Sequence, residues 1–294
     1  MQGLKFYLLD VFAEEKYAGN QLAVVRNARA LSGVQMQRIA NEMHFSETTF
    51  ILSDEERDGG YDVRIFTPAN ELPFAGHPTL GTAYVIRHDI IGRPVGKVLL
   101  NLKVGQIPVT FEKDNTGEEM LWMKQISPTF GEMFDAASVS QALSLDVKDV
   151  DSRFPIQQVS TGIPFIIVPL KTLDAVKRAR VDRERHERLT KAAQADILVF
   201  SPETYRKENN LNVRVFVDLY GIPEDPATGS ANGCLAGYLS QYRYFGSDVV
   251  DVRVEQGCEM GRPSLLHLKA GKGRNGIQVH VGGKVVMVAN GELV

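Results

Sequence analysis

One pattern occurs twice in this chain. Val63-Arg64-Ile65-Phe66 leads into Pro73-Phe74-Ala75-Gly76-His77-Pro78-Thr79-Leu80-Gly81, and half a chain-length later Val213-Arg214-Val215-Phe216 leads into Asp225-Pro226-Ala227-Thr228-Gly229-Ser230-Ala231-Asn232-Gly233. Each copy is an apolar strand, a loop and a segment of small residues that reads as a helix. The first N–H groups of a helix have no intrahelical partner, and the helix start carries a partial positive charge. Two such starts facing one another would make a cleft with an anion-binding site on each wall, the geometry of an enzyme for a small acid.

The echo extends outward from this pair. Gly19-Asn20-Gln21-Leu22-Ala23-Val24-Val25 is matched by Gly162-Ile163-Pro164-Phe165-Ile166-Ile167-Val168. In the first half Ser32 and Gln35 have capping-box spacing. Met36, Ile39, Ala40 and Met43 then recur on one helical face, and the strand Glu47 to Leu52 follows. In the second half Asp182 is placed to cap a helix carrying Leu189, Ala192 and Ala193, followed by the strand Asp196 to Phe200. Segments matching in the same order point to a duplicated unit. The expected fold class is α+β, with two similar domains around a pseudo-twofold axis. Their expected bounds are 1–126, with 284–294 as a candidate returning strand, and 127–283.

Glycine inside a helix costs about 1 kcal/mol relative to alanine. Gly81, Gly233 and Gly237 are therefore tolerable only where they gain close packing. A helix of Gly, Ala, Thr, Cys and Ser is thin enough for a curved sheet to wrap it closely. Strand-like segments surround the first one: Lys5 to Val11, Leu22 to Arg26, Asp62 to Phe66, Lys97 to Val104, Ile107 to Phe111 and Leu121 to Ile126. Each domain is expected to be a curved β-sheet or barrel around a central helix.

Composition narrows the partners. A net charge of −3 creates no global field favouring nucleic acid or an anionic membrane. The basic stretch Lys177 to Lys191 is interleaved with Asp182, Glu184 and Glu187, as in a solvated helix face. Cys234 and Cys258 have no metal-ligand spacing and give no disulfide framework. The opening apolar run is interrupted by Asp10, too early for a signal peptide or a membrane span. These features read as a cytoplasmic protein.

Three groups of residues are candidates for chemistry. Glu47 opens a strand whose alternation puts Glu47, Thr49 and Ile51 on one face. A carboxylate beside apolar groups has its pKa raised, which suits a general acid/base; the alternative is a strand-edge charge pointing to water. His77 lies at a helix start, where the dipole favours a neutral, hydrogen-bonding imidazole; the alternative is a surface or capping histidine. Asp225, Thr228, Gly229 and Ser230 open the second helix. Asp225 is expected to cap it, and Asp225 and Ser230 are also placed to bond a substrate held at the N–H groups. No Walker loop, His-Glu-x-x-His or Gly-x-Ser-x-Gly elbow is present.

The motifs Asp10-Val11-Phe12, Ala18-Gly19-Asn20, Asn41 to Phe50, Arg64 to Pro68, Pro73 to Gly81, Glu224 to Gly233 and Gln256-Gly257 with Met260-Gly261-Arg262-Pro263-Ser264 resemble the PhzF family, the phenazine-biosynthesis-like isomerases, over nearly the whole chain. The resemblance implies a diaminopimelate-epimerase-like fold with the active site between two similar domains, the last strand crossing back to the first domain, and a homodimer. It implies a cofactor-free proton shift on a small, often cyclic, carboxylic acid. The family's glutamate acid/base falls on Glu47, its histidine on His77, and its aspartate and serine on Asp225 and Ser230. Backbone near Gly76, Thr228 and Gly229 would bind the substrate carboxylate, and no metal is implied. Related racemases use two cysteines as paired acid and base. Their positions fall here on Ala75 and Thr228, which cannot shuttle a proton, so the resemblance favours one base. Amino- or hydroxy-acid racemisation, and non-catalytic binding of a small acid on the same fold, remain the rival readings.

Overall fold

A computed structural model of the chain describes residues 3–114, 116–217, 222–274 and 276–294. It divides into two units, Met1–Met123 with Gly282–Val294, and Lys124–Val281. Both are mixed sheets with helices, and the fold class is α+β.

The same pairing scheme is used in each unit. In the first, strand Leu4–Val11 runs antiparallel to Asn20–Val25. The latter runs parallel to Glu47–Ile51 after a helical crossover, Gly33–Met43. Glu47–Ile51 is antiparallel to Tyr61–Phe66, which is parallel to the beginning of the hairpin Lys97–Leu102 and Gly105–Lys113. In the second unit Ile156–Ser160, Pro164–Pro169, Asp196–Ser201, Leu211–Val217, Val250–Gln256 and Ser264–Gly273 repeat that sequence of antiparallel, parallel, antiparallel, parallel and antiparallel pairs. Register is shared too. Leu22 faces Glu47 in the first parallel pair, and Phe165 faces Asp196 in the second. The strand Val285–Leu293 pairs antiparallel with Leu4–Val11.

The repeat reaches side chains. Arg64 makes a two-pronged bond to Glu71 and lies 5.0 Å from the Phe66 ring centroid. Arg214 makes the same bond to Glu224 and lies 4.9 Å from Phe216. An arginine, an aromatic ring two residues on and a carboxylate after the turn thus hold both loops against their strands.

The small-residue segments form the central helices Gly76–Val85 and Gly229–Gln241, buried on nearly every side. Their glycines fill space that nothing larger fits. A Cβ at Gly81 would sit 2.5 Å from Leu22 Cδ2 and 3.0 Å from Val11 Cγ2; one at Gly237 would sit 2.8 Å from two atoms of the Pro128 ring. The packing gained offsets glycine's poor helix propensity.

Helix Gly33–Met43 carries the expected Ser32–Gln35 capping box and buries Met36 and Ala40. Helix Arg183–Ala193 is capped by Asp182, but its inner face differs from expectation: His186 and Thr190 are buried and Ala192 is exposed. Spacings of three and four from His186 reach Leu189, Thr190 and Ala193, which leaves Ala192 outside. The basic stretch is split between this helix and Leu173–Arg178, with i,i+4 pairs Arg178–Asp174, Arg188–Glu184 and Lys191–Glu187. Among the described residues no helix is long and apolar enough to cross a membrane.

Candidate active site

In the first unit the site is built by one strand and one helix. Thr82 Oγ1 donates to the Pro78 carbonyl at 2.7 Å, so the 2.7 Å contact between Thr49 and Thr82 has Thr49 as donor. This bond fixes the inner face of strand Glu47–Ile51 against helix Gly76–Val85. Glu47, two residues before Thr49 on the same face, is thereby carried to the helix start. Its Oε2 lies 3.3 Å from His77 Nε2, with the side chains only 16% and 6% exposed.

His77 is held from the other side as well. Its ring donates to the backbone carbonyl of Gln21, in the strand next to Glu47. Burial lowers the His77 pKa from 6.5 to about 3, against the smaller opposing effect of the Gln21 bond. The imidazole is therefore neutral near pH 7 and carries one ring proton. The contact to Glu47 lacks hydrogen-bond geometry, so that proton belongs to the nitrogen facing Gln21. Nε2 then presents a lone pair to Glu47. Such a pair accepts one more proton, shared between Oε2 and Nε2.

In the second unit the site is organised around a residue that the sequence reading assigned no role. Gln256 is fully buried at the end of strand Val250–Gln256. Its Oε1 accepts from Thr228 N at 3.2 Å and Asn232 Nδ2 at 2.8 Å; its Nε2 donates to the Asp225 carbonyl at 2.7 Å and Thr228 Oγ1 at 3.1 Å. One amide thus ties the Asp225–Thr228 turn to the helix. Gly257 has φ +75°, and a Cβ there would sit 2.4 Å from the Arg262 carbonyl oxygen, so only glycine lets the chain turn away at this point.

The cap expected at Asp225 is displaced. Thr228 is the N-cap, and its hydroxyl donates to Asp225 Oδ2 at 2.5 Å instead of accepting from a helix N–H. The Asp-Pro turn puts Asp225 at the end of strand Ile222–Asp225, three residues too early to cap. Gly229 is the first helical residue and Ser230 the second, half-buried, with its carbonyl accepting from Thr161 Oγ1 at 3.4 Å. Gly76 and His77 hold the same two places in the first unit.

The two central helices share another property. Helices starting at Gly33, Ala136, Leu173 and Arg183 are capped by the side chains of Ser32, Asp135, Thr172 and Asp182. Ala75 and Thr228, the N-caps of the central helices, make no such bond. Among the described α-helices these two alone keep their first N–H groups free of a side-chain cap, as a helix start that binds an anion requires.

Comparison with known proteins identifies the family. A family model described as phenazine biosynthesis-like protein, PhzC-PhzF, matches residues 9–291. The chain belongs to the PhzF family. Trans-2,3-dihydro-3-hydroxyanthranilate isomerases from Pseudomonas fluorescens and Pseudomonas aeruginosa are 36% and 34% identical to it; the matches cover 98% of this chain, and 99% and 98% of theirs. The crystal structure of a PhzF-family protein from Bacillus anthracis superposes with a TM-score of 0.92 at 29% identity, over 100% of both chains. The relatives are isomerases, and this chain is a PhzF-like isomerase. A hydroxyproline epimerase from Agrobacterium vitis shares the fold alone, with a TM-score of 0.61 at 9% identity, over 100% of this chain and 91% of that one. In this PhzF-like chain the positions assigned to paired thiols are the two N-caps, alanine and threonine.

Proposed function

We propose that this isomerase moves a proton on a small cyclic carboxylic acid without a cofactor, with Glu47 as the single acid/base. The substrate carboxylate is held by uncapped helix-start N–H groups, those near Gly76, Gly229 and Ser230 being the candidates. Thr228 and Asp225 line the second helix start. Glu47 takes a proton from a saturated ring carbon beside a π-system, the electron pair spreads into that system, the protonated carboxyl exchanges its proton with solvent, and Glu47 delivers a proton at another carbon. Composition is unchanged, as isomerisation requires. His77 Nε2 keeps the protonated carboxyl oriented between the two steps, and Asp225 and Ser230 bind the substrate's remaining polar groups.

The single observation that carries this reading is the 3.3 Å approach of Glu47 Oε2 to a buried, neutral His77 at an uncapped helix start. Ala75 and Thr228 at the N-caps count against two-thiol racemisation, because neither is a proton shuttle near neutrality. The substrate to try first is trans-2,3-dihydro-3-hydroxyanthranilate, on which the relatives act. Turnover in heavy water should place one deuterium on the product ring, and Glu47→Gln should lower kcat by about 10²- to 10⁴-fold. Wild-type turnover by Glu47→Gln would sink the assignment. We further propose a homodimer, which light scattering would report as twice the 32.6 kDa chain mass.

A further inference from the structure

The two copies of the repeat treat the same arginine differently. In strand pairing Arg64 stands opposite Phe50, and Phe50 packs with Met36 and Ala40 of helix Gly33–Met43. Arg64 therefore lies on the outer face of its sheet, away from Thr49, Glu47 and the central helix. Arg214 holds the equivalent place, opposite Val199.

Arg214 is fully used. Beyond its bond to Glu224, Nη1 donates to the carbonyls of Val176, Lys177 and Ala179 at 3.0, 3.4 and 2.8 Å, at the C-terminal end of helix Leu173–Arg178. The first copy lacks that helix. Between strand Asn20–Val25 and helix Gly33–Met43 it has only the turn Ala28–Ala30. Arg64 Nε and Nη2 bond Glu71, and Nη1 makes no hydrogen bond among the described residues.

An open surface cavity of about 510 Å³ lies beside it, lined by Gly33, Val34, Arg38, Arg64, Phe66 and Glu71, among others. A Cβ built on Gly33 would be 3.2 Å from Arg64 Nη2, so the start of that helix borders the guanidinium. Glu71 is already matched by Arg64 and by Lys103 at 2.7 Å, which hold its pKa down to about 2. The exposed Arg38 has no ion pair among the described residues. The balance of charge around the cavity is positive.

We propose that this cavity is a second ligand site, for a carboxylate. In the second copy the chain's own carbonyl oxygens saturate the arginine; in the first a ligand's oxygens take their place. Arg38, beside the free Nη1 of Arg64, selects an anion over a neutral carbonyl. The site stands apart from the proposed acid/base, which is on the opposite face of the same sheet.

The test is an NMR titration of the ¹⁵N-labelled full chain with succinate, and separately with the peptide Ala-Ala-Ala carrying a free or an amidated C-terminus. The probes separate a free small acid from a chain terminus as the source of the carboxylate. Saturable shifts are expected at the Gly33 and Val34 amides and at Arg64 Nε, with none for the amidated peptide. Arg38→Glu, at an exposed position that leaves the fold intact, should weaken binding by about tenfold. The proposal is overturned if neither carboxylate shifts Gly33 and Val34 saturably at tens of millimolar, or if Arg38→Glu binds as wild type does.

Discussion

Replacing Gln256 by leucine tests how the second helix start is held. The two side chains have similar volumes, so the change isolates hydrogen bonding from packing. Four bonds are lost together. Two of the partners retain another bond: Asn232 Nδ2 donates to the Thr228 carbonyl at 3.0 Å, and Thr228 Oγ1 donates to Asp225. Thr228 N–H loses the bond to Gln256 Oε1, and the Asp225 carbonyl loses the 2.7 Å bond from Gln256 Nε2. At about 1–3 kcal/mol for each buried group that loses its bond, stability should fall by about 2–6 kcal/mol. Urea unfolding followed by circular dichroism reads this as a lower midpoint with unchanged slope. Amide exchange at Thr228 and Gly229 should accelerate with it. A stability within about 0.5 kcal/mol of wild type would refute the claim that this one amide organises the turn.

Other substitutions read the asymmetry between the halves. Arg214→Met strands Glu224 in a buried pair and should cost about 3–5 kcal/mol in urea unfolding, although the carbonyls of Val176, Lys177 and Ala179 keep bonds from Ala179 N and Arg180 Nη1; Arg64→Met leaves Glu71 paired with Lys103 and should cost clearly less. The His77 pKa is 6.5 before folding and about 3 after it, so below pH 6.5 the unfolded chain takes up the proton first. Stability attributable to neutral His77 is present above pH 6.5 and drains away as pH falls toward 3, by up to about 1.4 kcal/mol per pH unit. His77→Gln should flatten that part of the pH–stability curve, and the wild-type ring should remain neutral by NMR through pH 5.

What was legible in the sequence was whatever local rules encode. Alternation located the strand beginning at Glu47, and three-and-four spacing located Met36 and Ala40 under their cap Ser32. Internal repetition did more, because the same pairings and the same Arg–Phe–carboxylate cluster recur in each half. The meeting of Glu47 and His77 was not encoded locally. It depends on the Thr49–Thr82 bond, between residues 33 apart in the chain, and alternation says nothing about which helix a strand face will meet. Gln256 stands in a family-like motif, but its role was hidden for a similar reason: it lies 28 residues from Thr228, and a glutamine ending a strand reads as a surface residue. Its signals were a buried asparagine amid small residues at Asn232, needing a partner, and a glycine immediately after it. The cap misplaced at Asp225 shows that an Asp-Pro pair marks a turn more reliably than the residue at which the helix begins.

One carboxylate, Glu47, is proposed to move the proton. The most direct measurement is deuterium incorporation from heavy water into trans-2,3-dihydro-3-hydroxyanthranilate and its product, followed by NMR for wild type, Glu47→Gln and His77→Gln. We predict one ring deuterium with wild type, a residual trace with Glu47→Gln, and slowed but detectable exchange with His77→Gln. Undiminished exchange by Glu47→Gln would show that Glu47 is not the acid/base.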